Sequence, residues 1–397
     1  VSIPTEGKVT MRPELRLVEL FPQNEDWSLQ TFRLLAEVAV GGADLFECAR
    51  TAARIGGSTD VEVWHREWSR TAREVAEHGR AEAAKGHTYT ASRALFRALS
   101  YWRHSEFFFD SSDPRRAEAY TEGVKAFREA ARLQGGYIEQ IGVPFEGAIL
   151  DGYIVRPTLP SETGSTTKRP TVLFLGGADS WAEELIFLGG NQFPARGMNL
   201  VVVDTPGRGG TLRFKKIYSR PDYEVPVAAV LDHLCARDDV DEDRIGLAGV
   251  SLGGFYAPRA AAMEPRVKAV AAWCGTWQVL TDFYEFYPPL QKQLQWLLGA
   301  ADDAEARAKL ADFSLDGYAQ RINVPVYVLH GTDDVIMDLA GAKTFVSKLT
   351  TKDVTFQIYD GPGALHCSYD YAATAVAALT DWFADRLGAS FESHPVI

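Results

Sequence analysis

From Gly136 onward the chain alternates short strand-forming runs with helical stretches, and this alternation constrains the fold more than any other feature. Eight strand candidates occupy 137–144, 147–156, 171–176, 199–204, 245–250, 267–273, 324–330 and 354–360. The first two are joined by a short connection and should form an antiparallel hairpin. From the third onward, strands alternate with helical segments such as DYEVPVAAVLDHLCAR and SYDYAATAVAALTDWFADRLG. That order predicts a parallel sheet covered by helices on both faces. Between 273 and 324 lies an aromatic insertion, far longer than an ordinary connection, with its cap-like part at about 276–322. The polar stretch TLPSETGSTTKRP reads as a surface loop between the second and third strands.

The residues before Gly136 have a different texture. Trp64, Trp68, Ala72 and Val75 recur at helical spacing on one face. A second helix is predicted through ASRALFRALSYWRHSEFFF and a third through SSDPRRAEAYTEGVKAFREAARL. The third opens with Ser112 or Asp113 as N-cap and Pro114 in the first turn, where a missing N–H costs nothing. The aromatic side chains here are expected to form core, given the apolar area such rings bury. The organisation is thus an N-terminal arm (1–24), a helical domain (25–136) and an α/β domain (137–397) carrying the insertion.

Composition narrows the function. Of the 397 residues, 41 are Lys or Arg and 53 are Asp or Glu, a net charge of −12 that disfavours nucleic-acid binding. An apolar fraction of 46% suffices for a packed core. No run approaches the ~18 apolar residues of a membrane helix. The opening residues lack the charged-then-apolar layout of a signal peptide, so a cytoplasmic protein is expected. The four cysteines (Cys48, Cys235, Cys274, Cys367) are far apart in sequence and form no CxxC or metal-like pair, and no HExxH is present. No metal or cofactor is therefore expected. Gly207-Arg208-Gly209-Gly210 lacks the Lys-Ser/Thr of a phosphate loop and reads as a turn with positive φ. The amphipathic helical domain gives the expectation of a homodimer.

One motif carries chemistry. Gly249-Val250-Ser251-Leu252-Gly253 matches G-x-S-x-G, entered by a strand and left by a helix. The turn is so sharp that the glycines are needed to avoid collision, and it holds Ser251 clear of the sheet at a helix N-terminus. A serine needs a base to take its proton and a third group to orient that base. His366 follows the last strand and is the expected base; His330, at a strand end, reads as structural. The loop Gly331-Thr332-Asp333-Asp334 supplies the acid, with Asp334 preferred to Asp333, and Asp360 and Asp338 as outside alternatives. Oxyanion donors are expected from the amide of Leu252 and from Gly177 or Ala178, in the loop after the third strand. In the insertion, Glu285 sits among Phe283, Tyr284, Phe286 and Tyr287. Desolvation there would raise its pKa and suit it to donate a proton; a solvated helix-face glutamate is the competing reading.

The segments GVSLGGFYAPRAAAMEPRVKAVAAW, LFLGGADS and WHREWSRTA…RALSYWRHSEFFF resemble the α/β-hydrolases related to the esterase FrsA. The branch they look like includes 2,6-dihydroxypseudooxynicotine hydrolase and fungal polyketide-shortening hydrolases. The resemblance spans about residues 60–390. It implies an eight-stranded, mostly parallel α/β-hydrolase sheet with a helical N-terminal domain and a short helical cap. It also implies a triad of Ser251, Asp334 and His366, with Glu285 as an accessory acid; Trp181, Tyr284 and Phe283 are expected in the substrate pocket. The implied reaction is cofactor-free cleavage of a carbon–carbon bond beside a carbonyl, in a β-diketone or acyl-aromatic small molecule. Esterase, lactonase, thioesterase or acyltransferase action through the same residues is the alternative. Ser251, where epoxide hydrolases and dehalogenases of this fold carry Asp, argues against those chemistries. Peptidase action stays open, although no second acidic pair suits a peptide amine. The occupied triad argues against a binding protein that merely keeps the scaffold.

Overall fold

A computed structural model describes residues 12–157 and 167–389. Most of the polar stretch read as a surface loop, 158–166, lies outside the described residues, as does the tail FESHPVI.

The helical domain contains α1 (Pro13–Arg16), α2 (Glu25–Ala36), α3 (Leu45–Ile55), α4 (Val61–Ala84), α5 (Thr88–Glu106) and α6 (Arg115–Leu133). Side chains set the starts. Asn24 accepts the Trp27 N–H at 3.1 Å, and Asp44 and Asp60 cap α3 and α4 in the same way. Asp113 accepts the Arg115 N–H at 2.9 Å, with Pro114 immediately before α6. Trp64, Trp68, Ala72 and Val75 are all buried. The Trp64 ring lies 4.7 Å from Trp27 and 4.8 Å from His104, and its Nε1–H donates to the His104 carbonyl at 2.8 Å. Of the segment read as an arm, residues 12–24 pack onto this domain and beyond it. Leu15 contacts Phe32 and Leu365, Arg12 pairs with Asp370, and Phe21 meets Trp27 edge-on.

All eight strands form: β1 (Ile138–Phe145), β2 (Ala148–Val155), β3 (Arg169–Leu175), β4 (Asn199–Val203), β5 (Val240–Val250), β6 (Val267–Trp273), β7 (Val326–Gly331) and β8 (Val354–Tyr359). Their spatial order is β1-β2-β4-β3-β5-β6-β7-β8. β1 runs antiparallel to β2, and β2 to β4; the remaining neighbours are parallel. β5 starts at Val240 rather than 245, because Val240 pairs with Arg169 across the sheet. The polar run before Ile245 carries no apolar signal for that extension.

Around the sheet lie α7 (Ala182–Phe187), α8 (Gly209–Arg213), α9 (Glu224–Cys235), α10 (Gly253–Ala261), α11 (Gln291–Leu298), α12 (Asp303–Leu310), α13 (Leu339–Lys348) and α14 (Ala372–Leu387). α11 and α12 belong to the insertion. Its base is closed by a bridge between Gln278 and Ser314 and by Asp282, which accepts the N–H groups of Trp277 and Gln278 at 2.9 Å each. The Gly207-Arg208-Gly209-Gly210 turn has positive φ at Gly207 (81°) and Gly209 (39°), where only glycine is unstrained.

The two domains share one apolar core, which runs without a break from Phe21 to Leu387. Polar links cross the same boundary: Glu106 of α5, held by Arg116 of its own domain, pairs with Arg213 of α8, and the Tyr120 hydroxyl donates to buried Asp204. No helix among the described residues is long and apolar enough to cross a membrane.

Candidate active site

The carboxyl ends of β3, β5, β7 and β8 open onto one edge of the sheet, where ligands of open α/β folds bind. β5 ends in Val250, and Ser251 follows in a left-handed conformation with φ of 57°. Such a backbone costs about 1–3 kcal/mol in a non-glycine residue and persists only where its surroundings enforce it. They do so here. A Cβ at Gly249 would stand 1.9 Å from the Gly253 carbonyl oxygen, and one at Gly253 would stand 2.4 Å from that of Leu175. The Ser251 N–H donates to the Trp273 carbonyl at 2.8 Å, which ties the turn to β6. α10 then begins, with its N-terminal dipole beneath the serine.

The loops after β7 and β8 bring the other two residues to the same place. Ser251 Oγ lies 3.1 Å from His366 Nε2, and His366 Nδ1 lies 2.8 Å from Asp334 Oδ2. Asp334 Oδ1 accepts the N–H groups of Ile336 and Met337 at 2.9 Å each, which fixes the carboxylate plane. An acceptor on Nδ1 selects the tautomer with Nε2 free to accept the serine proton. Burial raises the Asp334 pKa, but the His366 charge and hydrogen bond, with His330 and the Met337 N–H, outweigh it and hold the group at about 2. Burial lowers the His366 pKa, and the facing Asp334 carboxylate outweighs that and raises it above the usual imidazole range.

The alternatives fall elsewhere. His330 is buried behind Asp334, 3.8 Å from its Oδ2. Asp333 and Asp360 are exposed, and Asp338 caps α13 through the Ala340 N–H.

The loop after β3 lies directly over the serine: a Cβ at Gly177 would come within 3.0 Å of Ser251 Cβ. Its Gly177 N–H is donated to Ser180 Oγ at 3.0 Å. Of the two amides expected from this loop, that leaves Ala178, whose carbonyl accepts from Gln293 Nε2 at 3.1 Å. Leu252 is buried at the start of α10.

Four residues expected near the substrate are not there. Glu285 is exposed and ion-paired with Arg307, since its helical turn points it to solvent rather than into the ring cluster. Tyr284 is buried within the insertion, its hydroxyl donating to Asp303 at 2.9 Å and accepting from Gln295 Nε2 at 2.8 Å. Phe283 is core. Trp181 packs 4.8 Å from Tyr120 at the boundary between the domains.

The cavity at Ser251 is walled instead by Leu29, Phe32 and Arg33 of α2, by Phe107 just after α5, and by Leu290, Ile336 and Tyr369. Leu29, Phe107, Leu290 and Ile336 also wall a larger neighbouring cavity of about 410 Å³, which adds Tyr287, Arg116, Lys292 and Gln293. The helical domain and the insertion therefore roof the serine together.

Sequence reading also missed a pair of cysteines. Cys274 and Cys367 meet with their sulfurs 3.9 Å apart, and with His366 they form a three-residue group whose ligand atoms lie within 4.8 Å. Both His366 nitrogens are already engaged by Asp334 and Ser251. Only the folding of the β6 and β8 loops onto each other brings these thiols together.

Sheet order, elbow and helical N-terminal region define an enzyme of the α/β-hydrolase class. The sequence profile of the prolyl oligopeptidase family matches residues 191–390, and the chain belongs to that family. It is 34% identical over 247 residues to the α/β hydrolase gkaG of Penicillium citrinum, a match covering 60% of this chain and 57% of that protein. The chain thus spans little more than half the length of that relative. It is 30% identical over 355 residues to the hydrolase LUC6 of a Fusarium species, covering 79% of this chain and 84% of that one. Among solved structures, 2,6-dihydroxy-pseudo-oxynicotine hydrolase superposes with a TM-score of 0.79 at 25% identity, over 90% of this chain and 97% of that one.

Proposed function

We propose that the protein is a cofactor-free serine hydrolase that cleaves a carbon–carbon bond next to a carbonyl, in a β-diketone or acyl-aromatic molecule of the polyketide kind. The observation that carries the reading is the hydrogen-bonded chain Ser251–His366–Asp334 beneath an apolar, aromatic roof. Ser251 Oγ attacks the carbonyl as His366 Nε2 takes its proton, and Asp334 stabilises the imidazolium. The developing oxyanion is met by the amides of Leu252 and Ala178. Collapse releases an enolate, and the proton it needs comes from His366, since Glu285 faces solvent. Water then enters, is deprotonated by His366 and hydrolyses the acyl-enzyme. The likeness to 2,6-dihydroxy-pseudo-oxynicotine hydrolase over most of both chains supports a substrate of this class.

The position of Glu285 favours a second reading. An ester or thioester leaving group needs no acid besides His366, so esterase or acyltransferase action fits the same site. Purified wild type and Ser251→Ala, each given a p-nitrophenyl ester and an acyl-aromatic β-diketone, separate the two. Diketone cleavage far faster than ester cleavage, and lost in the variant, is the expected result. Ester turnover with the diketone untouched supports the second reading, and activity retained by Ser251→Ala contradicts both. Glu285→Gln is expected to leave either activity within about twofold, since the carboxylate is exposed, paired with Arg307 and absent from the cavity at Ser251.

A further inference from the structure

The loop over Ser251 is held from outside its own domain. Asp179, two residues after Gly177, receives Arg33 of α2 at 2.6 Å and Arg103 of α5 at 2.5 Å. The same two guanidiniums reach Glu184 of α7, at 2.5 and 2.7 Å. All four side chains are buried or nearly so, with exposures of 6%, 4%, 13% and 0% for Arg33, Arg103, Asp179 and Glu184. Arginine is rarely this buried unless paired, and here two guanidiniums stand between two carboxylates, hydrogen-bonded to Asp179 Oδ2 and ion-paired with Glu184. A third acid, Glu37, lies against this cluster and accepts the Ser100 hydroxyl at 2.6 Å. Burial, followed by the nearby Glu184 charge, pushes its pKa up. Burial works against the Asp179 charge, but the two guanidiniums hold its carboxyl well below the usual carboxylate range.

The geometry points to Asp179 as a positioning residue: clamped by Arg33 and Arg103 of the helical domain, it fixes the loop that presents the Ala178 amide to the oxyanion, so the site is competent only with the helical domain seated. This rests on Ser251 being the nucleophile. The two carboxylates differ in where they act. Asp179 belongs to the loop itself, between the Gly177 amide and Ser180 Oγ that close its turn, whereas Glu184 lies inside α7, beyond the turn. Both join the domains, but only Asp179 fixes the amide over the serine.

The test is the inactivation rate of the enzyme by a fluorophosphonate probe, which phosphonylates Ser251 through the same oxyanion contacts and needs no knowledge of the substrate. Losing one oxyanion donor costs a factor of about 10²–10³. Asp179→Asn is expected to lower kinact by about 10²-fold with KI changed less than about threefold. Glu184→Gln, which strips the same arginines of their other partner, is expected to keep kinact within about threefold while lowering the thermal midpoint similarly. If Asp179→Asn does not fold, Arg103→Lys, which keeps the charge but not the fork, carries the test and is expected to slow inactivation about tenfold. Equal loss of kinact in Asp179→Asn and Glu184→Gln would reduce the cluster to a domain fastener and overturn the proposal, as would a folded Arg103→Lys at the wild-type rate. A wild type that the probe does not label at Ser251 would instead sink the serine-hydrolase reading.

Discussion

At the scale of single residues, the proposed chemistry rests on one buried carboxylate and one imidazole. Asp334 is ionised down to about pH 2, so it is charged throughout the working range. It raises the His366 pKa, and His366 accepts the serine proton only when neutral. Activity is therefore expected to rise with pH along a limb centred above the ordinary imidazole value of about 6.5. Asp334→Asn should move that limb to lower pH and reduce kcat by about 10⁴-fold. A pH profile of kcat/KM for both proteins checks this; identical limbs would contradict it. Stability follows the same linkage. The depressed Asp334 contributes stability above its unfolded value of about 3.9, lost as pH falls towards 2. The elevated His366 contributes below about 6.5, and that contribution is lost as pH rises through its folded pKa. Ser251, Asp334 and His366 were legible because chain order and strand ends place them without knowledge of side-chain packing. Glu285 was not, because its orientation is decided by Arg307 in a neighbouring helix.

At the scale of elements, the elbow is the most constrained piece. Its glycines serve close approach, and a Cβ at Gly249 would meet the Gly253 oxygen at 1.9 Å and the Ala257 Cβ at 3.0 Å. Overpacking of this kind typically costs about 1–3 kcal/mol, and here it also tilts the serine. Gly249→Ala is expected to lose at least that much stability in urea unfolding and at least tenfold in probe-labelling rate. Wild-type behaviour in both would show that the turn is looser than described. The strands were legible from their apolar runs, since β3 and β4 are buried almost throughout. The N-terminal part of β5 was not, because in VDEDR only Val240 is buried and paired with β3, and the residues after it are polar. The buried arginines carried a faint signal: Arg33 within TFRLLA and Arg103 within SYWRHSE are charges inside apolar stretches, which a folded chain tolerates only with partners. Their partners, Asp179 on the loop after β3 and Glu184 in α7, could not be read.

At the scale of the molecule, the roof and the sheet are one body. A single apolar core spans both domains, and Glu106, Asp179, Glu184 and Asp204 receive cations or a hydroxyl across the boundary. One cooperative unfolding transition is expected by calorimetry; two separated transitions would contradict a shared core. The two-domain texture was plain in sequence, but the cavity draws on α2, the end of α5, the insertion and the loops after β7 and β8. No local pattern announces a wall assembled from such distant segments. The central claim, that Ser251 forms a covalent acyl-enzyme with His366 as its base, is tested most directly by intact mass spectrometry after brief reaction with a p-nitrophenyl ester. Wild type should carry one acyl group, mapped to Ser251, with none on Ser251→Ala and accumulation slowed at least 10³-fold in His366→Ala. Acylation elsewhere, or at an undiminished rate in His366→Ala, would contradict it.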